Sequence, residues 1–522
     1  MITTRRIAAG TLTALLLTAT PAPAANAAPP QPAGPDRAPN VSVAPDRNAD
    51  PILEGTPRKP SRDVGKTKKR QQQIQAAETA SLPTYNRDEY QPKPISEGAL
   101  PSRGTPAPVE DPGLHDAQGV RMFSFNGQLW DHPVGQAQWG LQNVTAYVDT
   151  GNPLFLNRAK ANAQRNIDRK VVSRDAWFYP YDFDLSRCTG RPILNAPWYS
   201  GMSQGQLLSL FVRLHEITGE MKWREAADMT FASLAMGPDP VGPWASWVDS
   251  AGYLWLEEYP DSPGIAGERV MNGHIFAIYG VYDYWRITNS TDVAAILDGA
   301  ITTVRQYMPD PIRNPRWASN YSIGCNDPHL KYHVVHTEQS LKLYEMTHVS
   351  LHATNAYLLR SDYPSPPVSG TVRFSAGTHV GYTFNSSGAI TGSKSLTLGA
   401  TSIANANQRI RVIGRNYYYR ITNGAFAGYL VPETFGAREL LGKVQEQKYS
   451  PNLMLNVAPG TYTGYAYDSA GNITGSKTIT FPAASGAPLG ATAWVNGRLS
   501  YQPTAGSYVG YWLPHVTGLS FS

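Results

Sequence analysis

The sequence predicts a mainly α fold, an α/α toroid (a barrel of helix pairs) with attached β-hairpin elements, followed by two small all-β repeat modules. Three observations favour this class. Apolar residues recur at helical spacing between residues 152 and 357. Aromatic-rich stretches with strand-like alternation interrupt this region at 176–186 and 245–258. After Pro366 the composition changes to Gly, Thr, Ser, Tyr and Val, and the tail repeats itself.

The helical region is predicted from apolar residues at positions i, i+3, i+4 and i+7. They occur in six segments: 155–169, 205–219, 221–236, 269–288, 291–308 and 337–355. Short polar turns join some of them, as at Gly219 and Asn289, and Thr291 and Asp292 are suitable caps for the following helix. Paired helices with longer interruptions at alternate junctions indicate a toroid whose loops form a cleft at one end. A plain helical bundle is the alternative.

The tail contains two copies of one pattern. Residues 375–398 return as 458–481, and residues 414–433 return as 497–516. Alternating apolar and polar residues with glycine turns predict two all-β modules, at 367–440 and 450–522. On an exported protein such a repeat is typical of a surface or glycan-attachment module, so cell-envelope glycan is a predicted partner of the tail.

The N-terminus has the features of a secretory signal peptide. Two arginines precede a short apolar core, and an A-x-A cleavage site ends at Ala27. Residues 1–27 are therefore predicted to be removed, and the protein is predicted to be secreted or associated with the cell surface, without spanning the membrane. Residues 28–120 are rich in Pro and Ala and predicted to be a disordered linker. The region between this linker and the repeats, residues 121–362, is predicted to be the catalytic domain.

Composition excludes several classes of function. The formal net charge of +5 favours acidic partners only slightly, and nucleic acid is not a predicted partner. The chain lacks a Walker loop, a GxGxxG fingerprint and a GxSxG elbow, so no cofactor is predicted. An HxxH pair without a third ligand is a weak metal signal, and no metal site is predicted. Cys188 and Cys325 form one disulfide or remain two buried thiols.

Two adjacent carboxylates raise the question of function. Glu257 and Glu258 end the alternating stretch YLWLEE, just before a helix expected to begin near Glu268. Acidic side chains beside large apolar residues are seldom buried unless they are paired, hydrogen-bonded or used in catalysis. A solvated strand end is the simplest interpretation of this motif alone.

Three polar and aromatic clusters lie in the helical region. The first is PWYSGMSQGQ (197–206), the second is LEEYP followed by VMNG (270–273), and the third is WASNYSIGCNDPHLKYHVVHTEQSL (317–341). Aromatic rings stack on sugars, and amide side chains match sugar hydroxyls with paired donors and acceptors. Tyrosine and glutamate in one cleft form an acid/base set that requires no metal. Together the clusters indicate carbohydrate chemistry.

In this order, the motifs WYSxxxQGQ, EEYP with VxNG and YD, and YHxxHxxQ resemble the C-terminal catalytic domain of the D-glucuronyl C5-epimerases of heparan sulfate and heparosan. They lie at 198–206, 257–260, 270–283 and 332–339. The upstream segment HPVGQAQWGLQN (132–143), which contains Trp139, resembles the family sequence where the catalytic chain begins. The resemblance implies an α/α toroid that inverts C5 of D-glucuronate, giving L-iduronate within a uronic-acid polysaccharide.

The resemblance also implies functional residues. The catalytic candidates are Glu258, Tyr259, Tyr332 and Tyr321. The candidates for substrate binding are polar or aromatic residues of the same motifs: Trp139, Trp198, Tyr199, Gln204, Gln206, Glu257, Asn272, His333 and His336.

Two other functions are consistent with these residues. A polysaccharide lyase would remove the same C5 hydrogen and then expel the C4 oxygen. A non-catalytic glycan-binding surface protein would use the repeats and have lost its activity. A glycoside hydrolase is disfavoured, because it needs two suitably spaced carboxylates and the adjacent Glu257 and Glu258 project apart in an extended chain.

Overall fold

The structure, a computed structural model, describes residues 82–261, 267–364 and 368–522. The predicted signal peptide and the first part of the predicted linker lie outside these residues. Eight helices are described: Pro133–Thr150 (α1), Pro153–Arg169 (α2), Gly201–Thr218 (α3), Met221–Leu234 (α4), Met271–Thr288 (α5), Thr291–Tyr307 (α6), Leu330–Thr347 (α7) and Ser350–Asp362 (α8). Among the described residues, no helix combines the length and apolar character needed to cross a bilayer.

The described chain divides into two compact units. The helical unit comprises residues 82–261, 267–312 and 321–327, and the β-rich unit comprises 313–320, 328–364 and 368–522. Helices α7 and α8 therefore group with the β strands rather than with the other helices. The domain boundaries predicted from the sequence stay a prediction.

The helical unit is a double layer of helical hairpins. Helices α1, α3 and α5 lie side by side, and α2, α4 and α6 each pack on the helix before them. Glycine allows α3 and α5 to approach closely: a Cβ on Gly280 would lie 2.6 Å from the carbonyl carbon of Gly205. This contact sets the WYSxxxQGQ helix directly against the VxNG helix. Layered hairpins are the repeating element of the predicted toroid, and closure into a ring stays a prediction.

Three two-stranded hairpins accompany these helices; two of them include residues of the aromatic-rich stretches at 176–186 and 245–258, and the one at 123–130 was not predicted. They pair Phe123–Phe125 (β1) with Gln128–Trp130 (β2), Val171–Ser173 (β3) with Ala176–Phe178 (β4), and Ser246–Val248 (β5) with Leu254–Leu256 (β6). Strand β6 is buried throughout and ends immediately before Glu257. Glu257 and Glu258 therefore directly follow a core strand, in the segment that connects it to α5.

The prediction of a disordered linker is wrong for residues 82–120. The backbone N–H groups of Asp88, Glu89 and Tyr90 donate to the carboxylate of Asp298 on α6. Tyr282 on α5 donates its hydroxyl to the carbonyl oxygen of Lys93, at 2.6 Å. The segment has few apolar residues, but polar groups on the helices supply the hydrogen bonds that fix its position.

Most predicted helices agree with the structure to within a few residues, with three differences. Helix α1 was not predicted as a helix, although Pro133 at its first position and the His132 cap are ordinary start signals. The predicted helix 337–355 is two helices, because His348 adopts a left-handed conformation with φ of 59° and ends α7. The cap of α6 is Ser290, whose hydroxyl accepts from Asp292 N–H, rather than Thr291 or Asp292.

The β-rich unit contains fourteen described strands in two sets of seven. The first set is Gly370–Phe374 (β7), Gly377–Phe384 (β8), Ile390–Leu398 (β9), Ser402–Arg411 (β10), Tyr417–Ile421 (β11), Leu430–Pro432 (β12) and Arg438–Leu440 (β13). The second set is Lys443–Val457 (β14), Gly460–Tyr467 (β15), Ile473–Phe481 (β16), Ser485–Val495 (β17), Arg498–Pro503 (β18), Leu513–Pro514 (β19) and Leu519–Phe521 (β20).

The two sets have the same topology. The first forms one sheet in the order β13-β7-β10-β11-β12-β8-β9, and the second runs β20-β14-β17-β18-β19 with the hairpin β15-β16 beside β19. Strand β12 joins β8 through Leu430 and Tyr382, and a bridge between Trp512 and Tyr465 makes the equivalent join. The sequence repeat therefore corresponds to a repeat of strand order and pairing.

Candidate active site

Glu258, Tyr259 and Tyr321 meet inside the helical unit. The hydroxyl oxygens of Tyr259 and Tyr321 are 3.3 Å apart, and the Tyr321 hydroxyl donates to Glu258 Oε1 at 3.4 Å. The side chains are almost closed to solvent, with exposures of 8% for Glu258, 6% for Tyr259 and 1% for Tyr321. One carboxylate and two phenols thus form a compact set able to accept, donate and share protons.

Tyr321 reaches this cluster because its segment pairs with the chain that precedes α5. Tyr321 accepts at its carbonyl oxygen from Met271 N–H, and Ser322 forms a β-bridge with Val270. Gly324 N–H donates to the carbonyl oxygen of Glu268, at 2.9 Å. The short ribbon aligns the third sequence cluster with the second, which explains how residues 62 positions apart come together.

The carboxylate of Glu257, a predicted substrate-binding residue, accepts hydrogen bonds from the protein itself. Both its oxygens accept from Arg269 N–H at 3.1 Å, and Oε1 also accepts from Tyr259 N–H at 3.3 Å. Trp247 Nε1–H donates to Oε2. Burial raises the pKa of Glu257 to about 6, and these hydrogen bonds oppose the rise. Because its carboxylate is fully used by the protein, Glu257 is a positioning residue for Glu258 and Tyr259.

Gly273 and His274 also position the cluster, and only the first belongs to a motif noted in the sequence. A Cβ on Gly273 would overlap Glu258 Oε2 and lie 2.7 Å from Glu258 Cδ, so only glycine accommodates this carboxylate against α5. His274 Nδ1 accepts from Leu256 N–H, and its Nε2 donates to the carbonyl oxygen of Ala300. His274 thereby fixes the end of β6, from which Glu258 emerges.

Aromatic rings continue the site toward α1. Trp198 lies 5.9 Å from Tyr259 between ring centroids and stacks on Tyr181 at 3.9 Å with an interplanar angle of 9°. Trp198 Nε1–H donates to the carbonyl oxygen of Phe183. Tyr181 was not selected from the sequence, because nothing in the stretch AWFYPYDFDLS distinguishes its ring from the neighbouring core aromatics.

Several residues predicted to bind substrate serve the protein interior instead. Gln204 donates to the carbonyl oxygen of Trp177 and to Ser233, and accepts from Tyr179 N–H. Trp139 is buried under the guanidinium of Arg121, which lies 4.1 Å from its ring centroid. Pairing of this kind depends on contacts distant in sequence, so a polar or aromatic pattern alone does not reveal it.

The remaining candidates of the helical unit lie in its core or at its edge. Gln206 and Asn272 are buried, on α3 and in the first turn of α5. Tyr199 is half-buried beside Phe178, and burial raises its pKa to about 12. Their roles in substrate binding stay predictions.

Tyr332, His333 and His336 lie on α7, in the β-rich unit. His333 Nδ1 accepts from Ser319 N–H at 2.9 Å, and its Nε2 donates to the carbonyl oxygen of Leu359. Burial lowers the pKa of His333 to about 4 and that of His336 to about 3, so both rings are neutral. Both ring nitrogens of His333 therefore have partners within the protein, and the roles of Tyr332, His333 and His336 in catalysis or substrate binding stay predictions.

Cys188 and Cys325 form a disulfide with a Cα–Cα distance of 5.8 Å. The bond ties the loop after β4 to the segment that carries Tyr321. Beside it, Glu268 Oε1 lies 3.0 Å from Cys325 Sγ, and Glu268 Oε2 lies 3.6 Å from Arg187 Nη1. Burial raises the pKa of Glu268 to about 8 despite the Arg187 charge. A disulfide sulfur has no proton to donate to a carboxylate. The protonated form of Glu268 is therefore favoured beside Cys325 Sγ.

Removing the disulfide is expected to destabilise the helical unit and to lower turnover. The bond closes a loop with a sequence separation of 137 residues, and the Cys188→Ser/Cys325→Ser variant should lose about 2–5 kcal/mol of unfolding free energy. Urea titrations of the variant and the parent measure this loss. Turnover should fall at temperatures where the variant stays folded, because Tyr321 loses its nearest covalent anchor. Equal stability and turnover in both proteins would contradict this expectation.

Glu268 is expected to make stability depend on pH. Its folded pKa of about 8 exceeds the reference value of 4.5, so the folded protein holds a proton that the unfolded chain releases. This contribution is complete below about pH 4.5 and is lost as the pH rises toward 8, with a slope of up to about 1.4 kcal/mol per pH unit. Glu268→Gln should flatten this part of the curve in urea titrations. An unchanged slope would show that Glu268 is ionised in the fold.

Comparison with known proteins shows which family the segment carrying this site is similar to. Residues 173–358 match the family model described as the D-glucuronyl C5-epimerase C-terminus. The match covers both the Glu258–Tyr259–Tyr321 cluster and Tyr332, and it confirms the family resemblance that the motifs predicted. It supports an isomerase, of the epimerase type, that acts on carbohydrate.

A curated relative is also a D-glucuronyl C5-epimerase. The D-glucuronyl C5-epimerase of Caenorhabditis elegans is 26% identical over 110 residues, which cover 21% of this chain and 17% of that protein. The chain thus matches less than a fifth of the length of this relative.

Solved structures with similar coordinates include three proteins that act on carbohydrate. They are a GH76 α-mannanase from Bacteroides thetaiotaomicron (11% identity, 47% of this chain, 62% of that chain, TM-score 0.33), an unsaturated glucuronyl hydrolase from Streptococcus agalactiae (14%, 44%, 56%, 0.29) and a cellobiose 2-epimerase from Spirochaeta thermophila (16%, 45%, 54%, 0.28). With TM-scores below 0.5, these likenesses do not define the fold or the function.

Proposed function

We propose that this protein inverts C5 of D-glucuronate residues in a heparosan-like polysaccharide and so forms L-iduronate residues. The observation that carries the proposal is the buried cluster of Glu258, Tyr259 and Tyr321, whose polar atoms lie within 3.4 Å of their neighbours. Its position inside the segment that matches the epimerase family supports the choice of reaction.

The reaction requires acid/base groups of this kind. The C5 hydrogen of glucuronate is α to the substrate carboxylate, so a base that removes it leaves an enediolate with additional negative charge. The electron pair of the broken C–H bond enters the enediolate, and a proton returned to the opposite face restores C5 with inverted configuration. Hydrogen-bond donors aimed at the developing charge are each worth roughly 3 kcal/mol in other enzymes.

The contacts within the cluster favour particular roles. Glu258 is the candidate base, because it is the carboxylate of the set and Tyr321 holds its Oε1. Tyr259 and Tyr321 share a hydroxyl contact, so a proton taken up at one group can move to the next. The catalytic role that the family resemblance implies for Tyr332 stays a prediction. Rates of C5 exchange and of inversion in tyrosine variants assign each tyrosine to a face of the sugar.

We also propose that the reaction takes place outside the cell. The predicted signal peptide over residues 1–27 is the support for this. N-terminal sequencing of the protein secreted by its native cells tests this part of the proposal. A secreted chain beginning after Ala27 is expected, and a protein retained in the cytoplasm with its first residues intact would overturn it.

The test of the activity is incubation of the purified protein with heparosan in deuterated water. NMR should show deuterium entering at C5 and iduronate signals appearing. Absorbance in the ultraviolet should not rise, because only a lyase creates an unsaturated uronate. Exchange with rising absorbance would assign the lyase reaction instead, and a protein without exchange on heparosan would refute the proposed substrate.

A further inference from the structure

The hairpins β8–β9 and β15–β16 are two copies of one surface. Over 24 aligned positions, 375–398 and 458–481, twelve residues are identical. The cross-strand pairs are equivalent, from Thr378 with Thr397 and Thr461 with Thr480 to a bulge in each copy before the last pair. The pattern of burial along β9 and β16 is also the same at every position.

The longest identical stretch shared by the two copies lies at mostly exposed positions. The stretch ITGSK occurs at 390–394 and again at 473–477, and most of its side chains are exposed in both places. It includes Ile390 and Ile473, with exposures of 45% and 58%. The two copies have diverged at half of their positions, so an exposed stretch kept identical indicates a constraint other than packing.

In the first copy a lysine and a tyrosine stand on one face of the hairpin. Lys394 pairs across the strands with Gly381, which has no side chain, and the ring of Tyr429 packs over that glycine. A Cβ on Gly381 would lie 2.8 Å from Tyr429 Cβ, so glycine is required for this approach. Lys394 Nζ lies 5.9 Å from the Tyr429 ring centroid. Lys394 is exposed, and Tyr429 is half-buried.

The second copy repeats this arrangement. Lys477 pairs with Gly464, and a Cβ on Gly464 would lie 3.1 Å from Tyr511 Cβ. Lys477 is exposed and Tyr511 half-buried, as in the first copy. The sequence AGYLVP around Tyr429 corresponds to VGYWLP around Tyr511. Each hairpin thus carries one exposed lysine opposite a glycine, and equivalent tyrosines, Tyr429 and Tyr511, pack against these glycines.

The charge around the first copy is strongly one-sided. Residues 367–440 contain seven Lys and Arg residues and two acids. The acids are neutralised, because Glu433 pairs with Arg409 and Glu439 pairs with Arg373. The surplus of positive charge complements an anionic ligand.

We propose that the two hairpins are a pair of equivalent binding sites for acidic polysaccharide. In each site the apolar face of a sugar ring rests on Tyr429 or Tyr511, and the carboxylate of a uronate residue binds Lys394 or Lys477. The choice of a uronate polymer rests on the proposed function, since the tail would then hold the same polymer that the active site modifies. Two linked sites on one polymer raise the overall affinity through effective concentration.

The test is binding of the full-length protein to heparosan, measured by isothermal titration calorimetry in the Tyr259→Phe background so that the polymer is not modified. The Lys394→Gln/Lys477→Gln variant should bind at least about tenfold more weakly, and each single variant should show an intermediate loss. Lys448→Gln, at an exposed strand position outside the hairpins, is the matched control and should bind like the parent. Heparosan with its carboxyl groups reduced should bind the parent as weakly as heparosan binds the double variant.

The outcomes separate this inference from the proposed activity. If the double variant and the parent bind heparosan with equal affinity, the proposal of two binding sites is overturned. In that case the lysines only prevent pairing of exposed edge strands, and the double variant should self-associate. If the Tyr259→Phe protein binds heparosan through these lysines but the wild-type protein produces no C5 exchange, the proposed activity fails and the binding sites stand.

Discussion

Replacing Tyr259 with phenylalanine is expected to lower turnover by roughly a hundredfold or more, the scale of a lost general acid or base. The substitution removes the hydroxyl 3.3 Å from that of Tyr321 and keeps the ring that packs near Trp198. Folding should change little, because loss of one hydrogen bond usually costs about 1 kcal/mol. Initial rates of C5 exchange and of iduronate formation, with urea titrations alongside, measure both effects.

Tyr284→Phe is the matched control. It removes the hydroxyl of another tyrosine in the same unit, one that donates to Asp228 and is not in the cluster. Its turnover should equal that of the parent. The rates of exchange and inversion also separate the roles of the tyrosines: a variant that lacks only the donor for the second face should still exchange the C5 proton without inverting the sugar. If Tyr259→Phe epimerises the sugar at the rate of the parent, Tyr259 is not a catalytic residue.

Replacing Gly273 with alanine is expected to lower turnover on a similar scale, by roughly a hundredfold, without removing a catalytic atom. The added methyl group overlaps the Glu258 carboxylate, which must leave its present position beside the Tyr321 hydroxyl. Displacement of a reacting group by about 1 Å can cost a hundredfold in rate. The helix itself should tolerate the change, because alanine is favoured over glycine in a helix by about 1 kcal/mol.

Gly140→Ala provides the comparison for this variant. Its added Cβ would lie 2.5 and 3.0 Å from the two methyl carbons of Leu210, the end of a side chain that can adjust, and Glu258 is not among its nearest neighbours. Its turnover should remain close to that of the parent. The Gly273→Ala/Glu258→Asp variant shortens the carboxylate and should recover part of the lost rate. Full activity in Gly273→Ala would mean that the position of Glu258 is not critical.

Local patterns predicted the elements of the fold more successfully than the contacts between them. Helix periodicity identified α3 to α6 to within a few residues, because burial of one helix face imposes that period. The break at His348 was missed, since a left-handed residue other than glycine leaves little trace in sequence. The toroid remains an expectation, because ring closure depends on the packing of many helices and not on any one segment.

In the candidate site too, local sequence predicted the position of the two adjacent carboxylates better than their contacts. Alternation in YLWLEE indicated that Glu257 and Glu258 would project apart, and they do. The alternation does not identify which of them faces the tyrosines, because Glu257 finds its partner at Arg269 N–H, 12 residues later and beyond a turn. Motif resemblance identified Tyr321 as a catalytic candidate but not its contact with Glu258, and residue type did not reveal that Trp139 and Gln204 contact other groups of the protein interior.

The segment before residue 121 determines how a recombinant fragment of this protein should be designed. A fragment beginning at the predicted boundary of 121 would leave the Asp298 carboxylate without the three backbone donors of residues 88–90. It would also uncover Gly299, where the ring of Tyr85 packs. A fragment that starts at residue 82 keeps both contacts. Expression yield and protease resistance should therefore change sharply between start sites at 82 and 121, although the family match itself begins only at residue 173.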